Sequence, residues 1–344
     1  MTAPQANIAI AGCGAVSTLY YAPALAILQQ KGRIDRVVAF DPDAARARAF
    51  AGLISGTEVS QSFDALVSSP GDLLIVASPP MAHADQVIAA LNAGKDVLCE
   101  KPLAIGSVQA RQMIEAAARN DRLLFAGHVR RQFPATSAIR DIVRSGLLGQ
   151  ISAVTCFEGG PFSWPVSGPG YFSRSSSGGG VLQDIGSHCL DLLTWWLGEP
   201  DDVAYEDDAF GGVEANCLVT LDYPGFQAKI RLSRDWAQPN VYRIVGTNGW
   251  LEWPVNDARN FRFAMSGGDT ADTQMRAPPG DDFHQAFARQ IEAALDNDKN
   301  AVGAADILPT IAIIEACYAN RAAMALPWLG ADELARARAL SRPS

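Results

Sequence analysis

No stretch of this 344-residue sequence runs apolar for the roughly 18 residues that a membrane-spanning helix needs, so no membrane partner is expected. No C-x-x-C pair occurs among the six cysteines, Cys13, Cys99, Cys156, Cys189, Cys217 and Cys317, which argues against a zinc site, a redox dithiol or a disulfide framework. Several of these cysteines fall in apolar runs, where Cys behaves as a small buried hydrophobe. Reduced thiols and a cytoplasmic location are the expectation. Positive charge is scarce: 28 Lys and Arg stand against 37 Asp and Glu, for a net charge of −9. The basic footprint of a nucleic-acid binder is therefore missing. Residues 1–7 carry no basic segment ahead of an apolar one and do not read as a secretory signal. No internal repeat is found. The short acidic cluster Glu206-Asp207-Asp208 has no adjoining ligand set and reads as a solvated loop, so no metal is expected.

What is present is a chain long enough for two domains, with 48% hydrophobic residues to build their cores. Up to residue 126, apolar runs alternate with helical patterns. Strands are expected at 7–11, 37–40, 73–77, 96–99 and 123–126, and helices at 15–31, 82–93 and 108–120. Pro23 predicts a kink or broken first turn in the first helix, and Gly94 marks the end of the second. Continuous apolar strands between helices indicate a parallel sheet covered on both faces, a doubly wound Rossmann domain.

After about residue 150 the pattern changes. Residues 151–157 alternate like a half-exposed strand, and a Ser-, Gly- and Pro-rich loop fills 159–180. A helix carrying Asp184 and His188 then runs to the stop signal Gly198-Glu199-Pro200. Strand patterns follow at 215–223, 227–233, 242–245 and 250–253, with turns at Tyr223-Pro224-Gly225 and Thr247-Asn248-Gly249. These predict a mainly antiparallel sheet. Helices at 282–295 and 304–324 close the chain, and the stretch around Thr270 reads as a mobile loop. The expected domains are 1–128, binding the nucleotide, and 129–344, an α/β domain binding substrate.

Gly12 and Gly14 lie between a strand and a helix, the context in which a glycine turn binds a dinucleotide. Gly12 permits the tight turn, and Gly14 removes a side chain that would block the pyrophosphate. Ala15 and Val16 open the helix, whose N-terminal N–H groups attract anions. Ser17 replaces a third glycine and is small enough for close packing. Asp41 ends the second strand, where a carboxylate accepts from the adenosine ribose hydroxyls and repels a 2′-phosphate. NAD is the expected cofactor, with NADP as the alternative because Arg46 and Arg48 lie nearby. Asp41 also suits a helix cap ahead of Pro42. Ser78 and Pro79 end another strand and suit a wall beside the nicotinamide ribose. His83 follows, either as a cofactor contact or as a helix-start residue facing solvent.

Hydride transfer to or from an alcohol carbon also needs a group that takes the hydroxyl proton, and histidine titrates in the right range. His188 is the candidate. Asp184, four residues earlier, stands on the same helical face and can bind substrate or orient the imidazole. The glycines Gly178, Gly179 and Gly180 ahead of it are expected to let the backbone approach a ligand. Lys101, in Glu100-Lys101-Pro102, suits stabilisation of a developing alkoxide. The plainer alternatives are a surface Glu–Lys pair and a helix whose Leu182, Ile185, Cys189, Leu192, Leu193 and Trp196 simply pack, with Asp191 continuing the polar face.

The glycine turn from Gly12 to Ser17, the Glu100-Lys101-Pro102 triplet and the segment Gly179-Gly180-Val181-Leu182-Gln183-Asp184-Ile185-Gly186-Ser187-His188 together resemble the Gfo/Idh/MocA family, which includes glucose–fructose oxidoreductase and inositol dehydrogenase. The resemblance runs from residue 7 to about 330. It implies that Lys101, Asp184 and His188 are the catalytic trio, with His188 the acid/base. It further implies a C-terminal α/β domain with a large open sheet that supports a homodimer or homotetramer. Glu100 and Arg130 are implied near the cofactor. Gly127-His128-Val129-Arg130-Arg131 is similar to the family segment near nicotinamide and substrate, although Val129 stands where many relatives have Asn. Arg131, Trp164 and Tyr171 are substrate candidates, and Trp236 is a further aromatic that could stack on a sugar. His284 is left unassigned.

The activity implied is NAD(P)-dependent oxidation or ketoreduction of a sugar, cyclitol or nucleotide-linked sugar. The alternatives are an NAD-dependent glycosidase working through transient C3 oxidation, and a catalytically silent ligand-sensing regulator.

Overall fold

The computed structural model describes residues 5–166, 168–267, 271–274, 282–325 and 330–340. The chain divides into two compact units. One takes Met1–Gln132, Pro165–Ser167 and Pro278–Leu308; the other takes Phe133–Trp164, Gly168–Ala277 and Pro309–Ser344. Residues 282–308 are grouped with the first of these units.

The first unit is built on six strands: β1 (Ala6–Ala11), β2 (Ile34–Phe40), β3 (Glu58–Val59), β4 (Leu73–Val76), β5 (Asp96–Glu100) and β6 (Leu124–Gly127). Their order is β3-β2-β1-β4-β5-β6, and every pairing is parallel. This is the doubly wound Rossmann order, in which the order of laying down strands reverses between β1 and β4 and leaves a crevice there. The apolar runs explain the sheet: Ile8 to Ala11 and all of Leu73–Val76 are buried on both faces. Pro23 falls in the first turn of the helix Ala22–Gln30, and a π turn, Ser17–Tyr21, precedes it. The expected break is therefore absorbed by a widened turn. The late helix Phe283–Asp296 packs in this unit, with Phe287 stacked 5.2 Å from Tyr20 and edge-on to Tyr21 at 4.9 Å. Ala126 donates its N–H to Val302 at 2.8 Å, so the same late segment borders β6.

The second unit holds a nine-stranded sheet. Its strands are β7 (Ile151–Gly159), β8 (Asp202–Asp207), β9 (Asn216–Tyr223), β10 (Phe226–Ser233), β11 (Val241–Gly246), β12 (Gly249–Pro254), β13 (Asn260–Met265), β14 (Ala271–Gln274) and β15 (Arg321–Ala323). The order is β14-β13-β12-β11-β7-β10-β9-β8-β15. The sheet is mainly antiparallel, with parallel pairings of β10 with β7 and of β15 with β8. Burial alternates along β9 and β10, as in a sheet covered on one face. The helix Ser187–Leu197 supplies that cover. Its Trp196 lies edge-on to Tyr242 and Trp253 and donates its indole N–H to the Thr136 carbonyl at 3.0 Å.

Several expectations are corrected here. The acidic cluster is no solvated loop: Glu206 and Asp207 end β8, and Asp207 is fully buried against Arg321, at 2.7 Å from its Nε. Asp208 accepts from the backbone of Ala215 and Asn216. The last expected helix stops at Ala319, and residues 321–323 turn into a strand. Residues 271–274, expected in a mobile loop, form β14; Thr270 itself lies outside the described residues. A helix at Ala331–Leu340 had no sequence signal assigned. All six cysteines are buried and unbonded. No helix among the described residues is long and apolar enough to cross a membrane, and these residues contain no cluster of three metal-ligating side chains.

Candidate active site

In the first unit the candidate residues gather at the carboxyl ends of β1, β2, β4 and β5. Gly12 takes φ +93°, and a Cβ there would lie 2.6 Å from the Ala77 carbonyl and the Ser78 nitrogen. Only glycine lets β1 and β4 approach this closely at the crevice. Gly14 has no protein atom within 4 Å of its Cβ direction. That open space lies at the start of a helix whose first N–H groups, at Ala15 and Val16, have no intrahelical acceptors. A pyrophosphate fits this cradle. Ser17 is fully buried and donates to the Gly12 carbonyl at 2.6 Å, so the third-glycine position locks the turn through its hydroxyl.

Asp41 accepts from the Cys13 N–H and the Asp43 N–H, each at 2.9 Å, and lies 3.7 Å from Arg46. Its carboxylate therefore ties the end of β2 to the glycine turn. The helix cap is Asp43, which accepts from Ala45 and Arg46, and not Asp41. Burial, with Asp41 adding to it, pushes the Cys13 thiol up to about 12, which favours its protonated form.

His83 neither faces solvent nor presents a free ring nitrogen. It is 1% exposed, with Nδ1 2.9 Å from the Pro102 carbonyl and Nε2 2.8 Å from the Ser78 carbonyl. Burial holds its imidazole below the usual range. The ring thus joins the β4 end to the Lys101-Pro102 peptide, which is cis. Ser78 Oγ donates to Gln86 at 2.7 Å, and Pro79 is exposed beside it.

Glu100 is buried, accepting from Tyr21 Oη at 2.8 Å and from the Lys101 N–H at 3.0 Å. Burial lifts its carboxyl above the ordinary range. Glu100 is therefore an internal anchor for the backbone of half-buried Lys101, and not half of a surface ion pair. Arg130 is 5% exposed and Arg131 half-buried, both in the short helical turn Val129–Gln132 after β6.

In the second unit, Asp184 sits in a π turn, Leu182–Gly186, that runs into the α-helix Ser187–Leu197 bearing His188. The two residues share one continuous helix, but the widened turn departs from the regular α spacing expected. Asp184 Oδ2 accepts from the Tyr171 hydroxyl and from Arg234 Nη2, the latter at 3.1 Å. Arg234 Nη2 also donates to Tyr171 Oη at 3.1 Å, and the guanidinium lies 4.7 Å from the Tyr171 ring centre. The Tyr171 ring and hydroxyl are both partnered by Arg234. Burial and the Asp184 charge push its phenol well above the usual range. Trp164 is half-buried and Trp236 is 59% exposed. Asp191, read as continuing the polar face of this helix, is buried.

Two of the glycines before this helix, Gly179 and Gly180, sit against protein atoms. A Cβ at Gly179 would strike the Tyr318 hydroxyl, and one at Gly180 would strike the Glu214 carbonyl. Glu214 Oε1 accepts from the N–H groups of Gly180 at 2.9 Å and Leu182 at 3.0 Å, and from Tyr318 Oη at 2.8 Å. Sequence reasoning missed Glu214, Tyr318 and Arg234. Arg234 is 50 residues from Asp184, and no spacing rule links them.

Residues 6–128 match the model described as oxidoreductase family, NAD-binding Rossmann fold, and residues 136–252 match the GFO/IDH/MocA C-terminal domain. Among characterised proteins, the chain is 31% identical over 217 residues to trans-1,2-dihydrobenzene-1,2-diol dehydrogenase of Xenopus laevis, covering 62% of this chain and 64% of that one. It is 30% identical over 204 residues to D-glucoside 3-dehydrogenase of Escherichia coli K12, covering 58% and 56%. These alignments span under two thirds of either relative. The crystal structure of aldose-aldose oxidoreductase from Caulobacter crescentus, complexed with glycerol, superposes with a TM-score of 0.77 at 25% identity, covering 92% of this chain and 97% of that one.

Proposed function

Because the chain belongs to the Gfo/Idh/MocA oxidoreductase family and carries its NAD-binding Rossmann domain, we propose that it is a dehydrogenase or ketoreductase acting on a secondary alcohol or ketone of a sugar, cyclitol or nucleotide-linked sugar. NAD is the preferred cofactor in this reading, held by Gly12, Gly14, Ala15, Val16, Asp41, Ser78 and Pro79. The relatives named above act on a ring diol, a glucoside and an aldose by their names, which supports a ring bearing adjacent hydroxyls as substrate. Self-association into a homodimer or homotetramer belongs to the same proposal, as does a domain division near residue 128.

The nicotinamide, when bound, supplies the hydride acceptor or donor. His188 takes the proton of the reacting hydroxyl on its imidazole and returns it in the reverse direction. The Lys101 ammonium stabilises negative charge building on the reacting oxygen. Glu100 supports this by fixing the backbone of Lys101. Asp184 accepts from a substrate hydroxyl and orients the ring. Arg130 is assigned to the cofactor, and Arg131 and Trp164 to the substrate. The observation that carries the reading is the Asp184 carboxylate, held by Tyr171 and Arg234 at the head of the helix bearing His188.

The test is turnover with NAD and NADP against aldoses, glucosides, cyclitols, ring diols and nucleotide sugars. His188→Ala and Lys101→Ala should each lower turnover by about 10²–10⁴-fold while nicotinamide binding persists. Undiminished turnover in both variants refutes the assignment. Release of free sugar without net reduced nicotinamide would mark a glycosidase instead.

A further inference from the structure

Asp184 stands in a π turn, where the regular i→i+4 ladder is interrupted and the direction of a side chain is not set by α-helix geometry. Something else must aim its carboxylate. We propose that Arg234, with Tyr171, is a positioning residue that clamps Asp184; the functional meaning of this clamp rests on the role given to Asp184 above.

Three observations carry it. Arg234 follows directly on β10, and its own N–H donates to the Ala215 carbonyl at 2.8 Å. Because β10 is paired to β7 on one side and β9 on the other, Arg234 is anchored next to the end of an interior strand. Next, the three polar groups close on one another: Arg234 donates to Asp184 and to Tyr171, and Tyr171 donates to the same Asp184 oxygen. Two donors on one oxygen define the orientation of the carboxylate more tightly than either alone. Last, the Arg234 side chain is only 7% exposed, with its guanidinium 4.7 Å from the Tyr171 ring centre and 5.6 Å from that of Phe162. Its Nε and Nη1 are buried without an acceptor among the described residues, which leaves Asp184 as its ionic partner there. A guanidinium kept this dry for one carboxylate is a poor source of stability. What the arrangement yields is a fixed anion.

The clamp is tested on the full-length protein with Arg234→Met, Arg234→Lys and Tyr171→Phe. Charged and titratable groups near the carboxylate include Arg234, just past β10, Tyr171 from the preceding loop, and His188 four residues along its own helix. Carboxyl ¹³C NMR, with Asp184 assigned through Asp184→Asn, reads its titration directly, in wild type and in a His188→Ala background. Arg234→Met should raise the Asp184 midpoint by about one pH unit or more, Arg234→Lys by less, and Tyr171→Phe, which leaves the ion pair, by an intermediate amount. In turnover, Arg234→Met should lower kcat by about tenfold or more, leave the KM for nicotinamide cofactor unchanged, and move the acid limb of the pH profile upward. Arg234→Lys should recover part of both. An Asp184 midpoint unmoved by Arg234→Met overturns the clamp. So does a moved midpoint with kcat and acid limb unchanged, or an equal loss in the Met and Lys variants with the acid limb fixed. If Arg234→Met does not fold, the Lys and Phe variants decide by the same readings. If no substrate turns over in wild type, the functional reading fails while the NMR titration still decides whether Arg234 governs Asp184.

Discussion

The Tyr318 hydroxyl occupies the space that a side chain at Gly179 would need, and from there it donates to Glu214 at 2.8 Å. The glycine run before the Asp184 helix is therefore a packing requirement. Gly179→Ala should cost about 1–3 kcal/mol, as overpacking of a tight site does. Gly180→Ala should cost more, because its Cβ meets the backbone of Glu214, whose carbonyl already accepts from the Val181 N–H at 3.0 Å. Denaturant melts of both variants check the order; a milder effect at Gly180 would contradict it.

Glu214 makes stability depend on pH. Burial is the main reason its carboxyl stands above the ordinary value of 4.5 in the folded protein. The folded state then holds the proton more tightly than the unfolded chain, so this group favours folding fully below the unfolded value. That contribution is lost as pH rises through the folded midpoint. Glu214→Gln keeps an oxygen acceptor for Gly180, Leu182 and Tyr318 and removes the titration. Thermal melts across pH should show wild type losing ground against Glu214→Gln as pH rises above 4.5. Parallel curves would remove Glu214 as the source.

Asp41 should govern which nicotinamide dinucleotide binds. Asp41→Asn retains acceptor oxygen for the glycine turn but drops the negative charge that opposes a 2′-phosphate, with Arg46 3.7 Å away. The ratio of NADH to NADPH affinity should fall by about tenfold or more, the scale of one charge-assisted hydrogen bond. Fluorescence titration with each cofactor measures it, and an unchanged ratio counts against Asp41 as the ribose ligand.

The parts of the fold legible in the sequence are those whose pattern is local. Leu73-Leu74-Ile75-Val76 has no polar position to offer solvent and can only be an interior strand. The edge strand β3 is two residues, Glu58 and Val59, too short to carry a period. β8 was hidden by its charges: Asp207 is the residue that most resembles a surface loop, yet it is fully buried because Arg321, from far along the chain, neutralises it. The site divides the same way. Gly12, Gly14 and Asp41 follow a spacing that one strand–turn–helix unit imposes. The partners Arg234, Glu214 and Tyr318 come from just past β10, just before β9 and a late helix, and only the folded chain brings them near. His83 and Glu100 were visible as polar residues at strand ends. Their burial was not, since it depends on Ser78, Pro102 and Tyr21 closing over them.

The division of the chain also fixes when the protein can be finished. The N-terminal unit needs Val302 beside Ala126, and the C-terminal unit needs Tyr318 against Gly179 and Arg321 on Asp207. On the ribosome, a nascent chain that has emerged only to residue 277 can complete neither. Truncation after residue 277 would therefore remove contacts from both units at once.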